Sequence, residues 1–159
     1  MLYYDVSKAF TRESDESPER VMVKPAAQVL PPGVKNYFTE RGAADLHAEL
    51  QQLNEKPVSL VTRQRIYDVQ QALVDAVIVP PPPLPWNQVL FGARVTVRNQ
   101  CQENLTYRIV GVNEPATDEH NISWRSPVAK ALLKARMGDR IRLRIPEGEQ
   151  EWEILKIEY

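Results

Sequence analysis

The chain contains one cysteine, Cys101, and two histidines, His47 and His120. A single thiol excludes an intrachain disulfide, and one cysteine with two histidines cannot build the usual four-ligand zinc cage. Charge of one sign is also lacking. Twenty Lys and Arg stand against 21 Asp and Glu, for a net charge of −1, which argues against binding nucleic acid by bulk charge alone. No apolar run approaches the roughly 18 residues of a membrane-spanning helix. The start, MLYYDVSKAF, has no apolar signal-peptide core, so a reduced, cytoplasmic setting is expected. Aromatic residues are only 8% of the chain, so a fully aromatic-lined pocket would use a large share of them.

Proline is abundant, with 13 in 159 residues, and its clusters mark the joints. Residues 1–36, with the polar run SDESPER and Pro18, Pro25, Pro31 and Pro32, read as an extended or disordered segment. Residues 37–79 read as a short helical hairpin. Thr39 is an N-cap, and Ala43, Leu46, Leu50 and Leu53 form the first apolar stripe. Pro57 ends that helix, Ser59 or Thr62 caps the next, and Ile66, Val69, Leu73 and Val77 form the second stripe. Helices of about 17 residues give a hairpin about 25 Å long. Residues 80–88, with Pro80 to Pro83 and Pro85, form a stiff spacer.

Residues 89–159 change character. VLFGARVTVR alternates, and LTYRIVGV and NISW are further strand candidates. Ser126 and Pro127 open one compact helix, with Gly138 as its C-terminal glycine. Two strands joined by Pro146-Glu147-Gly148-Glu149 close the chain. Placing Ile145 opposite Gln150 sets Arg144 against Glu151 and Arg142 against Glu153, with Leu143 facing Trp152 and Ile141 facing Ile154 on the apolar side. The expected fold class is α+β: a short antiparallel helical hairpin followed by an antiparallel sheet with one helix.

The stretches FGARVTV (91–97), YRIVGV (107–112), ISWRSPVAKALL (122–133), GD (138–139) and EWEILKIEY (151–159) resemble, in order and spacing, the C-terminal domain of the GreA/GreB transcription elongation factors. YFTERGAADLHAEL resembles the opening of that family's coiled-coil arm. The resemblance implies an FKBP-like C-terminal domain that binds RNA polymerase at the rim of its secondary channel. It also implies an arm reaching down that channel. In the family two acidic residues at the arm's tip help hold magnesium in the polymerase active site, so that backtracked RNA is hydrolysed. Here the segment of the type GDLSENAEY is missing. The possible tip is Asn54-Glu55-Lys56, with one carboxylate, beside a lysine. Short-armed relatives of the Rnk type share this lack.

By this resemblance the partner is RNA polymerase, bound through Trp124, Arg125, Ser126 and Pro127. Trp and Arg are residue types enriched at binding hot spots, although Ser126-Pro127 is fully explained as a helix start. The expected action is on elongation, without robust cleavage stimulation, and no catalytic residue, metal ligand or cofactor is assigned. Sequence-specific nucleic acid and membranes are not expected partners, and a monomer is expected. One alternative uses Glu55 to assist magnesium in the polymerase. Another is an FKBP-like interaction module for a different partner. Arg94, Arg98, Arg142 and Arg144 form either a basic surface or a solvated face paired with Glu151 and Glu153. Phe91, Tyr107, Trp124 and Trp152 either line a proline-binding hollow or belong to core and rim. His47, His120 and Cys101 lie in no recognisable motif.

Overall fold

A computed structural model describes residues 30–114, 120–145 and 148–159. The reading of residues 1–29 as an extension therefore lies outside the described residues. The chain runs β1 (Asn36–Thr39), α1 (Glu40–Asn54), α2 (Leu60–Val74), β2 (Ala76–Val79), β3 (Arg94–Arg98), β4 (Asn104–Val110), β5 (Asn121–Ser123), α3 (Pro127–Leu132), β6 (Arg140–Ile145) and β7 (Gly148–Glu158). The architecture is α+β, as expected.

Local chemistry sets the helix starts. The hydroxyl of Thr39 accepts from the Gly42 N–H at 2.9 Å, that of Ser59 from Thr62 at 3.0 Å, and that of Ser126 from Ala129 at 3.1 Å. Each satisfies an N–H that the helix itself leaves without a partner. Pro57 and the cap at Ser59 separate α1 from α2, and the two pack antiparallel. Ala43, Leu46, Val69 and Ala72 are buried between them, with Leu50, Leu53 and Leu73 packed alongside.

The hairpin differs from expectation at its base. The second helix ends at Val74, and residues 76–79 form a strand that pairs in parallel with β1, Tyr37 opposite Val77 and Phe38 opposite Ile78. Val77-Ile78-Val79 is a β-branched run, which packs poorly in a helix and well on a pleated strand. Val77 therefore leaves the helical stripe and is 37% exposed, and Phe38 from β1 is fully buried between the helices in its place.

The C-terminal sheet has strand order β5-β4-β3-β7-β6. It is antiparallel except at one edge, where β5 runs parallel to β4. Ten residues, 111–120, separate these strands, whereas a two-residue hairpin turn would join only antiparallel strands. The core gathers Val89, Val95, Val97, Ile109, Leu132, Ile141, Leu143, Trp152, Ile154 and Ile157. Ile154 and Ile157 are three residues apart, so strict alternation would send one of them to solvent. A bulge resolves the conflict. Thr96 pairs with Lys156 but Val97 pairs with Ile154, so Leu155 has no opposite number and the isoleucines both face inward.

Two further expectations are corrected. Helix α3 stops at Leu132, and Gly138 lies in a later turn. The chain leaves the helix at Lys134, which takes a positive φ of 73°, because residues 133–136 turn to pair with Val89. Lys134 N donates to Val89 O and Val89 N to Ala135 O, both at 2.8 Å. The terminal hairpin is shifted by two residues from the expected register. Ile145 faces Gly148, Arg144 faces Glu149, Arg142 faces Glu151 and Ile141 faces Trp152. The connection is thus two residues long rather than four. A two-residue slip leaves each side chain on its expected face.

Candidate functional site

The arm is α1 and α2 with the connection 55–59. Each helix has 15 residues, so the arm is about 22 Å long at 1.5 Å per residue. Arg65 Nε and Nη2 donate to Glu49 Oε1 and Oε2 at 2.9 and 3.1 Å, a two-pronged bond across the helices. Asn54, Glu55 and Lys56 are all exposed at the far end, with Glu55 as the C-cap of α1.

Beside them the tip is apolar. Val58, Leu60 and Val61 are 75%, 85% and 81% exposed. Reading the sequence by its apolar stripes missed this surface. The signal was there: Val58, Leu60 and Val61 surround the cap Ser59 but fall outside the Ile66–Val69–Leu73 stripe.

The corner Trp124-Arg125-Ser126-Pro127 joins β5 to α3, and the structure divides its members. Arg125 and Pro127 are exposed, while Ser126 is occupied as the helix cap. Trp124 turns inward. Its backbone N donates to Val110 O at 2.9 Å, and its ring meets Tyr37 edge-on at 5.8 Å. Among the described residues its buried indole N–H has no hydrogen-bond partner.

Tyr37 also packs on Phe91 at 5.9 Å, so the base of the arm rests on the C-terminal domain. A carboxylate closes the same junction. Glu114 Oε1 accepts from Thr39 N and Gly111 N, and Oε2 accepts from the Thr39 hydroxyl, each at 2.7 Å. Nothing in the segment GVNE marked Glu114 for this task, since its partner lies 75 positions away.

The proline spacer is tied down from the other end of the chain. Trp86 Nε1 donates to Pro82 O at 3.0 Å, and the Trp86 ring packs on Tyr159 at 5.6 Å. The Tyr159 hydroxyl donates to Gln88 O at 2.9 Å and accepts from Leu90 N at 2.8 Å. Burial raises the Tyr159 phenol above its ordinary value, and the bond from Leu90 offsets part of that.

Of the four aromatics weighed as a hollow, Phe91 and Trp124 both touch Tyr37, whereas Tyr107 stacks flat on Trp152 at 5.5 Å. The ring contacts thus form two groups rather than one lining. On the charged face Arg140 and Arg142 both reach Glu151, at 3.6 and 3.7 Å, and Arg144 reaches Glu149 at 3.6 Å. These pairs are exposed and each adds little stability. His47, His120 and Cys101 are exposed. Among the described residues no group of three His, Cys, Asp or Glu is placed to hold a metal, and no helix is long and apolar enough to cross a membrane.

Residues 84–159 match the family profile described as transcription elongation factor, GreA/GreB, C-term. The chain is 34% identical to transcription elongation factor GreB of Neisseria meningitidis over 154 residues, covering 79% of this chain and 94% of the relative. The chain belongs to the GreA/GreB family. Transcription elongation factor GreA of Trichlorobacter lovleyi is 30% identical over 150 residues, covering 94% of this chain and 95% of that GreA. Among solved structures, a GreA/GreB factor from Nitrosomonas europaea aligns with a TM-score of 0.44 and 25% identity over 79% of this chain and all of that one. GreA factor homolog 1 of Thermus thermophilus aligns with a TM-score of 0.41 and 22% identity over the same shares.

Proposed function

We propose that this GreA/GreB-family protein docks on RNA polymerase through its C-terminal domain at the mouth of the secondary channel and offers a shortened arm to it. The effect is to modulate elongation, or to occlude other factors that use the channel, rather than to stimulate transcript cleavage strongly. The protein carries no catalytic group of its own in this reading.

The tip carries the argument. A magnesium ion assisted from outside needs oxygen ligands in near-octahedral geometry, commonly from more than one carboxylate. The connection between the helices offers Glu55 alone, next to Lys56, at the end of two 15-residue helices. Around it stand Val58, Leu60 and Val61, which supply no ligand oxygen from their side chains. Arg125 and Pro127, exposed beside α3, supply the polar and apolar contacts expected of the docking face.

The test is binding to core RNA polymerase, with a full-length Gre factor as competitor, together with cleavage of RNA in a backtracked complex. Mutually exclusive binding with little cleavage supports the reading. Cleavage as strong as that of a full Gre factor, abolished by Glu55→Ala, would establish the magnesium-assisting alternative instead. Absence of binding at micromolar concentration would point to an interaction module with another partner.

A further inference from the structure

We propose that Glu114 is the positioning residue that fixes the direction of the arm relative to the C-terminal domain. Its carboxylate joins the two bodies through three bonds of 2.7 Å: two from Thr39, at the start of α1, and one from Gly111, just after β4. The Thr39 hydroxyl donates to Glu114 while accepting from Gly42 N at 2.9 Å. The N-cap of the arm's first helix and the latch to the other domain are therefore one residue.

The site is built for this approach. A Cβ on Gly42 would run into the Glu114 carboxylate, and a Cβ on Gly111 would run into the Tyr37 carbonyl. At Gly111 the obstacle is backbone, so only glycine fits there; at Gly42 an added side chain would displace the Glu114 carboxylate and so break the latch. A carboxylate is also the group best suited to the start of α1, where the aligned peptide dipoles present positive charge. Tyr37, wedged between Phe91 and Trp124, fills the apolar side of the same joint.

Direction matters because the arm is a lever. At about 22 Å of length, a swing of ~10° at the base moves the tip by ~4 Å, comparable with a side chain's width. The consequence for binding rests on the polymerase reading above, but the latch itself does not.

The experiment places one spin label on the native, exposed Cys101 and a second on Lys56→Cys at the tip, and measures the distance by pulsed electron resonance in the full chain. Circular dichroism checks that each variant is folded. With Glu114 in place one narrow distance is expected. Glu114→Ala should widen the distribution at least twofold, and Glu114→Gln, which keeps one acceptor oxygen, should fall between. Polymerase affinity of Glu114→Ala should drop about tenfold. A folded Glu114→Ala variant with the same narrow distance, or a broad distance with Glu114 present, would overturn the latch. If Glu114→Ala does not fold, Glu114→Gln is read by the same criterion. Widened distance with unchanged polymerase binding would overturn the functional consequence alone. Failure of the unsubstituted protein to bind polymerase would count against the proposed function and leave the distance result to decide the latch.

Discussion

Arg65 on α2 grips both oxygens of Glu49 on α1, and neither side chain is more than 21% exposed. Two parallel charge-assisted bonds fix the rotation of one helix against the other as well as their separation. Breaking the pair from one side leaves a largely desolvated charge without its partner. Arg65→Ala and Glu49→Ala are each expected to lower stability by about 1–3 kcal/mol, measured by urea unfolding. The double variant should lose less than the sum, the signature of a direct interaction in a double-mutant cycle.

The apolar tip separates binding from folding. Leu60 and Val61 are more than four-fifths exposed, so replacing both by Ser should change unfolding free energy by no more than about 0.5 kcal/mol. If the tip contacts the channel, the same variant should bind polymerase several-fold more weakly. Glu55→Ala, by contrast, is expected to leave binding and elongation rates unchanged. A strong loss with Glu55→Ala and none with the double Ser variant would assign the tip's work to the carboxylate.

Tyr159 gives a pH signature. Its phenol is raised above the ordinary value near 10, chiefly by burial, and Tyr107 is raised by burial as well. A raised acid group binds its proton more tightly in the folded than in the unfolded state. Its contribution is therefore fully present below the unfolded value and lost as pH rises through the folded one. Melting temperature should fall on titration above about pH 10, and Tyr159→Phe should flatten part of that decline. The same substitution removes the bonds to Gln88 and Leu90 and should cost about 1 kcal/mol at neutral pH.

What could be read from the sequence was what depends on neighbours along the chain. Thr39, Ser59 and Ser126 cap helices because each can reach an N–H three residues on, and the stripe Ala43–Leu46–Leu50–Leu53 follows from helical period alone. The β1–β2 pair could not be read this way. Four residues on either side of a hairpin carry little pattern, and Phe38 finds its buried place only once Ala43, Leu46, Val69 and Ala72 of the two helices close around it. The terminal hairpin shows a subtler limit. Alternation between apolar and charged residues decides which face a side chain takes, and every two-residue slip satisfies it equally. Turn length decided the partners, so Arg142 met Glu151 rather than Glu153. The corner Trp124–Pro127 was legible as a helix start, but not the inward turn of Trp124 onto Tyr37, which required the arm's base to be in place. Glu114 lay hidden for the same reason.

The bulge at Leu155 allows the most severe test of how the C-terminal domain is held together. Trp152 and Ile154 belong to one alternation and Ile157 to the other, and the extra residue lets all three be buried. Deleting Leu155 removes the extra residue and leaves Ile154 and Ile157 two positions apart, so an unbroken ladder keeps Trp152, Ile154 and Ile157 on one face. The deletion variant is therefore expected to unfold cooperatively and keep its dispersed amide resonances, at a cost of about 1 kcal/mol for the lost half-buried side chain. Deleting Glu153 instead makes Trp152 and Ile154 direct neighbours on opposite faces, so one of them turns to solvent or β7 leaves its register with β6. Removing even one large apolar side chain from a packed core costs about 2–5 kcal/mol, a substantial part of the stability of a domain this size. This second variant should therefore lose cooperative unfolding of the C-terminal domain. A Leu155 deletion as damaging as the Glu153 deletion would show that the bulge itself, rather than the facing of the side chains, holds the sheet together.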